Sequence, residues 1–251
     1  MIELIDIKKS FKDKDVLKGI STTFLPGKCN LLIGQSGAGK TVTIKSMVGL
    51  LENDSGKILF NDRDFSAMNF DERKAIRREI GMLFQHAALF DSYTVEENIK
   101  FPLDMFHKEM TNAEKTDRVN FCLERVNLPG VNNKMPSELS GGMQKRVGIA
   151  RAIVNNPKYL FCDEPNSGLD PKTSIVIDEL IHSLTKEFGT TTIINSHDMN
   201  SVLGIGEHIV YLHEGKKHWE GSNEEVIHSG NKELDEFIFA SKFLQNLKKG
   251  N

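Results

Sequence analysis

The sequence has little of what membrane-spanning, secreted or nucleic-acid-binding proteins need. Its three cysteines form no C-x-x-C pair, which favours reduced cytoplasmic thiols over a disulfide framework or a zinc site. No stretch approaches the ~18 apolar residues of a membrane span, and residues 1–11 lack the apolar core of a signal peptide. The net charge of −3 argues against nucleic acid as the main partner. Any membrane-spanning part is therefore expected to come from other chains.

The chain also lacks internal repeats, low-complexity segments and a proline-rich linker, and strand and helix patterns alternate along it. This alternation predicts an α/β fold. Cys162 falls in an apolar run and is predicted to be a core residue. We expect strands over residues 1–7, 21–24, 28–33, 57–60, 80–84, 158–162, 190–195 and 208–212, and helices over 41–51 and 171–188.

Residues 34–41 carry the clearest chemical pattern. They read GQSGAGKT, which matches the phosphate-binding loop G-x-x-x-x-G-K-[ST], and they lie between a predicted strand and a predicted helix. The three glycines allow backbone N–H groups to converge on one point, and the positive end of the following helix favours a polyphosphate. Lys40 would reach the β- and γ-phosphates, and the Thr41 hydroxyl would bind Mg²⁺.

A second glycine-containing motif lies at another predicted helix start. Residues 139–144 read LSGGMQ, well downstream of the phosphate-binding loop. Either motif alone leaves a broad superfamily open. In this order and at this distance, the two motifs indicate a nucleotide switch that works as a sandwich of two copies of the chain.

Four further residues carry weaker signals, each with a structural alternative. Asp163 and Glu164 follow an apolar strand at the edge where α/β sheets bind ligands, so one could hold a metal while the other orients water. The alternative is a pair of solvated acids. His197 and Gln85 also follow predicted strands, and each is either functional or structural. Their joint order along the chain favours the functional interpretation.

Between residues 86 and 140 the pattern changes to helices. Thr94 and Thr111 each begin a capping box of the form T-x-x-E, and an apolar helical stripe over residues 119–126 follows the second. The sequence therefore predicts a helical insertion of about 50 residues in a strand–helix core.

Residues 1–228 resemble the ATP-binding subunit of ATP-binding-cassette (ABC) transporters, because they contain the loop, Gln85, the LSGGMQ motif, the acidic pair and His197 in that order. The resemblance implies a P-loop NTPase (RecA-like) fold. This fold has a mixed sheet core, an antiparallel β edge and a helical subdomain inserted at about 86–140. Residues 229–251 would form a C-terminal helical extension. In the family's terms, residues 34–41 are similar to the Walker A loop, Gln85 to the Q-loop, 139–144 to the signature motif, 159–164 to the Walker B strand, 167–170 to the D-loop and His197 to the switch histidine.

The resemblance implies that ATP is the substrate, that Mg²⁺ is the cofactor and that hydrolysis needs a second copy of the chain. The catalytic roles fall to Glu164, His197, Gln85 and Lys40, and the implied metal shell is Thr41, Gln85 and Asp163. The implied ATP-binding residues are Phe11, Gly34, Gln35, Ser36, Gly37, Ala38, Gly39, Lys40, Thr41 and Val42. The implied contacts to the partner copy's nucleotide are Ser140, Gly141, Gly142, Met143 and Gln144, with Ser167, Gly168, Leu169 and Asp170 as the D-loop.

Four positions depart from the family pattern. Phe11 lies at the adenine-stacking position, where tyrosine is more usual, and phenylalanine keeps the stacking face. His86 and Tyr93 stand where smaller or aliphatic residues are more usual, and Asn166 stands where threonine is usual. None of these changes removes a catalytic role.

Residues 81–98 and 141–146 are similar to a narrower subgroup that serves MCE-type lipid transporters. That similarity implies phospholipid transport between the inner and outer membranes, from a position on the cytoplasmic face of the inner membrane. The implied partners are permease subunits, an MCE-domain lipid-binding protein and a small regulatory subunit. Residues 87–90 form an apolar patch that either receives a short permease helix or caps the core of the helical subdomain.

Other functions remain open from the sequence. Within transport, the alternative is another solute, such as an amino acid, or lipoprotein release. Outside transport, the alternatives are a soluble cassette ATPase without a permease and a nucleotide sensor that does not hydrolyse, which the presence of Glu164 and His197 disfavours. The tail has an apolar stripe that either packs on its own domain or contacts another subunit. The stripe consists of Leu234, Phe237, Ala240, Ser241, Leu244 and Leu247.

Overall fold

The computed structural model describes residues 1–12 and 14–239, which form two β-sheets surrounded by helices. The strands are β1 (Ile2–Phe11), β2 (Lys14–Phe24), β3 (Cys29–Ile33), β4 (Ser55–Phe60), β5 (Arg63–Asp64), β6 (Ile80–Leu83), β7 (Tyr159–Asp163), β8 (Thr191–Asn195), β9 (His208–His213) and β10 (Lys216–Gly221). The helices are α1 (Lys40–Met47), α2 (Phe70–Arg78), α3 (Val95–Phe106), α4 (Asn112–Arg125), α5 (Gly141–Ile153), α6 (Pro171–Phe188), α7 (Met199–Ile205), α8 (Asn223–Val226) and α9 (Lys232–Ile238). None of these helices is long and apolar enough to cross a membrane.

The larger sheet has the strand order β10-β9-β3-β8-β7-β6, and all neighbours are parallel except β9 and β10. Every residue of β3, β7 and β8 is buried, as expected for parallel strands covered on both faces. The register pairs Leu32 with Asn195 and Asn195 with Asp163, so the carboxyl ends of three strands lie side by side. The loops that follow these strands therefore meet at one edge of the sheet.

Alternate residues of these strands face two different cores. Leu31 and Ile194 belong to a hydrophobic cluster shared with α3, α4 and α5, whereas Leu32 and Ile193 pack with α1 and the smaller sheet. This follows from the strand geometry, in which successive side chains point to opposite faces. The edge that carries the loops is thus supported from both sides.

The smaller sheet is antiparallel, with the order β2-β1-β4-β5. The prediction of an antiparallel edge is confirmed, but the predicted strands at 1–7 and 21–24 were too short. The pairing of β1 with β2 contains register shifts near Ile7 and Ser10. Such bulges break the two-residue alternation on which a strand prediction depends.

The predicted helical insertion consists of α3 and α4, which pack on α5. The Thr94 and Thr111 hydroxyls accept hydrogen bonds from the N–H groups of Glu97 and Glu114, at 3.2 and 3.3 Å. Both predicted capping boxes are confirmed. The strong local signal explains this success, because each box satisfies two otherwise unpaired N–H groups of its helix.

Two helix predictions need correction or limits. The first helix ends at Met47 rather than residue 51, because Gly49 takes a left-handed conformation (φ +73°) that interrupts the helix. In the tail, Leu234 and Ile238 of α9 are buried in the chain's own core, which supports packing on its own domain. The predicted stripe residues Ala240, Ser241, Leu244 and Leu247 lie outside the described residues.

The three cysteines are buried free thiols. Burial raises the pKa of Cys29 and of Cys122 to about 11, and it also raises the pKa of Cys162. Cys162 is fully buried in β7, so its prediction as a core residue is confirmed.

Candidate active site

The loop of residues 34–41 joins β3 to the start of α1 and depends on glycine at two crowded positions. A Cβ on Gly34 would lie 2.2 Å from the carbonyl oxygen of Leu212, and one on Gly39 would lie 2.8 Å from the Leu17 side chain. Both glycines also have positive φ angles, +150° and +103°. The sequence motif therefore reflects close backbone packing as well as the turn.

Lys40 is buried at the base of this loop. Its Nζ donates to the carbonyl oxygens of Gly34 at 2.8 Å and Gln35 at 3.1 Å. Burial lowers the pKa of Lys40, while the nearby carboxylates of Glu164 and Asp163 act in the opposite direction. The ammonium group is thus held at the loop, where a phosphate group can replace the two carbonyls as its partner.

A cavity of about 740 Å³ lies over the loop. It brings most of the predicted ATP-binding residues together with Gln85, Glu164 and His197. Phe11 does not line it: this side chain is 42 % exposed at the end of β1, with Lys9 Nζ 5.5 Å from its ring centroid. Three further residues line the cavity that the local sequence patterns did not predict there, because contacts between distant parts of the chain position them. They are Lys14, Val16 and Phe237.

Asp163, Asn195 and Thr41 form a connected polar group at the edge of the sheet. Asn195 Nδ2 donates to Asp163 Oδ1 at 2.5 Å and to Thr41 Oγ1 at 3.4 Å. Asn195 Oδ1 is buried and has no hydrogen-bond partner within the described residues. Hydroxyl, carboxylate and amide oxygens are the ligands that Mg²⁺ prefers. The predicted metal residues Thr41 and Asp163 therefore fit a magnesium ion, with Gln85 at the same cavity.

Glu164 and His197 contact each other across the cavity. His197 Nδ1 lies 2.7 Å from Glu164 Oε2, and the histidine is exposed while the carboxylate is largely shielded. Glu164 has a φ of +50°, an uncommon conformation for a residue with a side chain. A carboxylate oriented by an imidazole beside a phosphate site is suited to polarise a water molecule.

Behind this pair, a buried carboxylate joins the segments that follow the two residues. Asp178 on α6 accepts hydrogen bonds from Ser201 Oγ at 2.7 Å and from Asn166 Nδ2 at 2.9 Å. Asn166 lies two residues after Glu164, and Ser201 lies in α7, shortly after His197. Burial raises the pKa of Asp178 to about 6. The unusual Asn166 thus has a structural partner that the sequence did not reveal.

Gln85 is held by its neighbours on both sides. Its Nε2 donates to Ser167 Oγ in the predicted D-loop at 3.3 Å, and its carbonyl oxygen accepts from Lys145 Nζ. The contact between Gln85 and Ser167 brings the predicted Q-loop and D-loop together.

The predicted signature residues 140–144 do not line the cavity. Ser140 is exposed and caps α5, with its hydroxyl accepting from the Met143 N–H at 3.3 Å. The segment lies beside the predicted D-loop and the helix that follows it. A Cβ built on Gly141 would lie 3.8 Å from Leu169, and one on Gly142 would lie 2.7 Å from Thr173. Within the described residues, this helix start thus lies outside the cavity over the phosphate-binding loop.

The apolar patch of residues 87–90 is divided between core and surface. Ala87 is buried in the core, whereas Ala88 and Phe90 line an open groove of about 400 Å³. Phe101 and Met105 of α3 form its other wall. The two interpretations of this patch are therefore compatible, because different residues serve each.

Comparisons with known proteins agree on one family. The family model described as "ABC transporter" matches residues 17–167, more than half of the chain. A methionine import ATP-binding protein of Rhizobium johnstonii is 38 % identical over 221 residues, covering 88 % of this chain and 60 % of that protein. The chain thus spans three fifths of that relative's length. The protein trigalactosyldiacylglycerol 3 of Arabidopsis thaliana, a chloroplast protein, is 36 % identical, covering 96 % of this chain and 74 % of that protein.

Solved structures give the same result for the fold. The dimeric structure of MJ0796, a bacterial ABC transporter cassette, superposes with a TM-score of 0.81 at 32 % identity, covering 89 % of this chain and 99 % of that one. A second structure of the same cassette, in a post-hydrolysis state with ADP and phosphate, matches equally well. The predicted α/β P-loop fold is confirmed.

Proposed function

The chain belongs to the ABC transporter family as an ATP-hydrolysing, nucleotide-binding subunit, and we propose that it drives import of an amino acid through a permease made by other chains. The ATPase assignment follows from the family match and from the likeness to a cassette with ADP and phosphate. The amino acid follows from relatives named for methionine import, such as those of Rhizobium johnstonii and Caulobacter vibrioides. The single observation that carries the site is the cavity joining the phosphate loop to Glu164 and His197.

In the proposed mechanism, the loop and Lys40 bind the phosphates of ATP. Thr41, Asp163 and Gln85 would hold Mg²⁺, which would neutralise phosphate charge during hydrolysis. Glu164 accepts a proton from the attacking water, and His197 orients that carboxylate through the contact of 2.7 Å.

Two copies of the chain would complete each site. Residues 140–144 lie next to the D-loop rather than at the cavity, and Ser140 and Gly141 are exposed, so this helix start would be able to contact the nucleotide of a second copy. The dimeric form of the MJ0796 cassette supports this arrangement. The open groove beside Ala88 and Phe90 would receive the permease, and this contact would hold the chain at a membrane surface.

A phospholipid is the second candidate substrate. The methionine import relatives do not support the MCE-type subgroup expected from the sequence, nor the MCE-domain partner. One observation still favours a lipid: the Arabidopsis relative, whose name contains that of a galactolipid, aligns with 96 % of this chain.

Glu164→Gln is the variant that tests the enzyme and captures its partners. It should lower ATP hydrolysis about 10²- to 10⁴-fold while keeping ATP bound. The matched control is Glu179→Gln, which makes the same change at an exposed position on α6. Equal hydrolysis by E164Q and the parent would contradict the catalytic assignment.

The same E164Q chain, tagged and purified from detergent-solubilised membranes, decides the substrate. If the captured permease is reconstituted in proteoliposomes with the parent chain, ATPase activity that rises with methionine or another amino acid would support the import proposal. Co-purified phospholipid with lipid-stimulated activity would replace it by the second candidate. Recovery of no integral membrane protein would overturn both and favour a soluble ATPase.

A further inference from the structure

Lys145 on α5 is a buried cation with an unusual set of partners. Its side chain is 5 % exposed, and no carboxylate among the described residues lies within ion-pair distance. Its ammonium group donates instead to two main-chain carbonyl oxygens, those of Gln85 and Glu164, the latter at 3.3 Å. Burial lowers the pKa of Lys145, while the carboxylates of Glu164 and Asp163 act in the opposite direction without forming an ion pair with it. Because removing an ammonium group from water is costly, a buried lysine without a direct ion-pair partner is expected only where its hydrogen bonds serve a purpose.

One of the two carbonyls belongs to a residue in a strained conformation. Glu164 has a φ of +50°, and its N–H donates to the Asn195 carbonyl at 2.9 Å. Its own carbonyl accepts from the Ser167 N–H at 3.1 Å and from Lys145. A left-handed residue that is not glycine persists only when its surroundings hold it. Lys145 is the one side chain that bonds to this backbone carbonyl in the described part of the chain.

The other carbonyl, that of Gln85, begins a second segment that contains left-handed residues other than glycine. After Gln85, the residues Ala87 and Ala88 have φ angles of +58° and +48°. Arg151, also on α5, donates to the carbonyl oxygens of Ala87 at 2.5 Å and Ala88 at 2.7 Å. Two cations of one helix therefore hold the backbone of residues 85–88, and Lys145 alone connects that backbone to Glu164.

We propose that Lys145 is a positioning residue that fixes the Gln85 segment and the catalytic Glu164 relative to each other. The proposal rests on the function assigned above to Glu164 and Gln85. Movement of the groove at residues 87–90 then reaches the catalytic carboxylate through α5 and the Lys145 ammonium. The lysine does not itself line the nucleotide cavity and bonds only to the main chain of two residues that do, so its loss should affect the rate of hydrolysis rather than the binding of ATP.

The test compares two variants. Lys145→Met keeps the length of the side chain and removes the charge and the donors, whereas Lys145→Arg keeps the charge and the donors. The purified full chain is assayed for kcat, for KM and for ATP affinity, and amide hydrogen exchange is measured at residues 85–88 without nucleotide. We expect K145M to lower kcat about 10- to 100-fold with ATP affinity within about twofold of the parent. Exchange at residues 85–88 should be faster in K145M, and K145R should recover most of both properties.

Arg146→Met on the same helix is the matched control, because Arg146 makes only a contact of 3.4 Å to the Asn127 carbonyl. A K145M chain with parental kcat and exchange would overturn the proposal. An equal loss in R146M would overturn it too, because that would be a general effect of removing charge from α5. If K145M does not fold, Lys145→Leu, which also lacks the charge and the donors, replaces it with the same two outcomes. Failure of the substrate proposal would appear instead in the parent chain, as the absence of a permease or of a stimulating solute.

Discussion

The N-termini of α1 and α5 both lack acidic residues, but one begins in a cavity and the other begins at an exposed residue. Among the helices of the described residues, only these two have no carboxylate at the cap or in the first turn. Acidic residues usually stabilise that position, so their absence leaves the positive helix end available to an anion. Yet α1 begins inside a cavity with the buried Lys40, whereas α5 begins at the exposed Ser140.

This difference indicates how the proposed site is divided between two copies of the chain. The first helix start has a complete pocket on its own chain. The second helix start has a positive end free of carboxylates but does not line the cavity. This is the arrangement expected of one half of a site that two copies share. The proposed two-copy arrangement can therefore be tested by changing the two helix starts separately and then together.

The largest effect is expected where the pocket is complete. Lys40→Met removes the buried ammonium that contacts the loop carbonyls, so the phosphates lose their main cationic partner. We expect ATP hydrolysis to fall at least about 10³-fold and ATP affinity to fall with it. Isothermal titration with ATP measures the binding, and parental affinity in K40M would contradict the role of the loop.

Ser140→Asp places a carboxylate at the second helix start. Aspartate is as good a helix cap as serine, so α5 should remain stable, while the new charge repels a γ-phosphate from another copy. Hydrolysis should fall about 10²-fold with ATP binding to the single chain unchanged. Ser140→Thr is the control, because it keeps the hydroxyl and adds no charge; a slow S140T would point to shape rather than charge.

A mixture of K40M and S140D tests whether the two helix starts act together in a site shared between two copies. In a mixed dimer, the S140D copy supplies an intact loop and the K40M copy an intact Ser140, so one of two sites is restored. An equal mixture should recover about a quarter of the parental activity. If the mixture is as inactive as each variant alone, both helix starts act within one chain and the shared site is wrong.

Asp178→Asn tests the pH dependence of stability that the buried carboxylate behind the cavity should cause. The pKa of Asp178 is raised from 3.8 to about 6, so between about pH 4 and pH 6 the folded chain keeps a proton that the unfolded chain has lost. The parent should therefore lose stability as pH rises through this window, by about 3 kcal/mol at most relative to D178N. Urea unfolding of both proteins at pH 4 and pH 7 measures it; parallel pH dependences would contradict the raised pKa.

The smallest effect is expected at a helix start that has acidic residues and no proposed ligand. Thr94→Ala removes the cap of α3, whose hydroxyl accepts from the Glu97 N–H at 3.2 Å. This should cost about 1 kcal/mol of stability and leave kcat unchanged. A thermal melt and a steady-state assay check both values, and a large loss of activity would show that helix starts matter here for reasons other than charge.

The parts of the fold and site that the sequence predicted are those with local causes. The capping boxes at Thr94 and Thr111 and the loop of residues 34–41 depend on neighbouring residues. By contrast, β10 alternates exposed and half-buried polar residues at a sheet edge, and α2 buries only Ile76, so neither has a clear apolar period.

Contacts made through the tertiary fold could not be predicted from the sequence. Phe237 reaches the cavity because α9 folds back onto β9, where its ring centroid lies 5.7 Å from that of Tyr211. Lys145 looks like any exposed helical lysine until α5 is packed against the strand ends. Phe11 was expected at the nucleotide, yet it lies outside the cavity lining.

Thiol-specific probes can report on this protein without removal of its natural cysteines. Cys29, Cys122 and Cys162 are buried, and their raised pKa values keep them as unreactive thiols near neutral pH. A cysteine introduced at the exposed Glu179, outside the proposed nucleotide contacts, would therefore be the preferred target of a maleimide spin label. The distance between such labels on two copies, measured by paramagnetic resonance with and without ATP, would turn closure of the dimer into a length in ångströms.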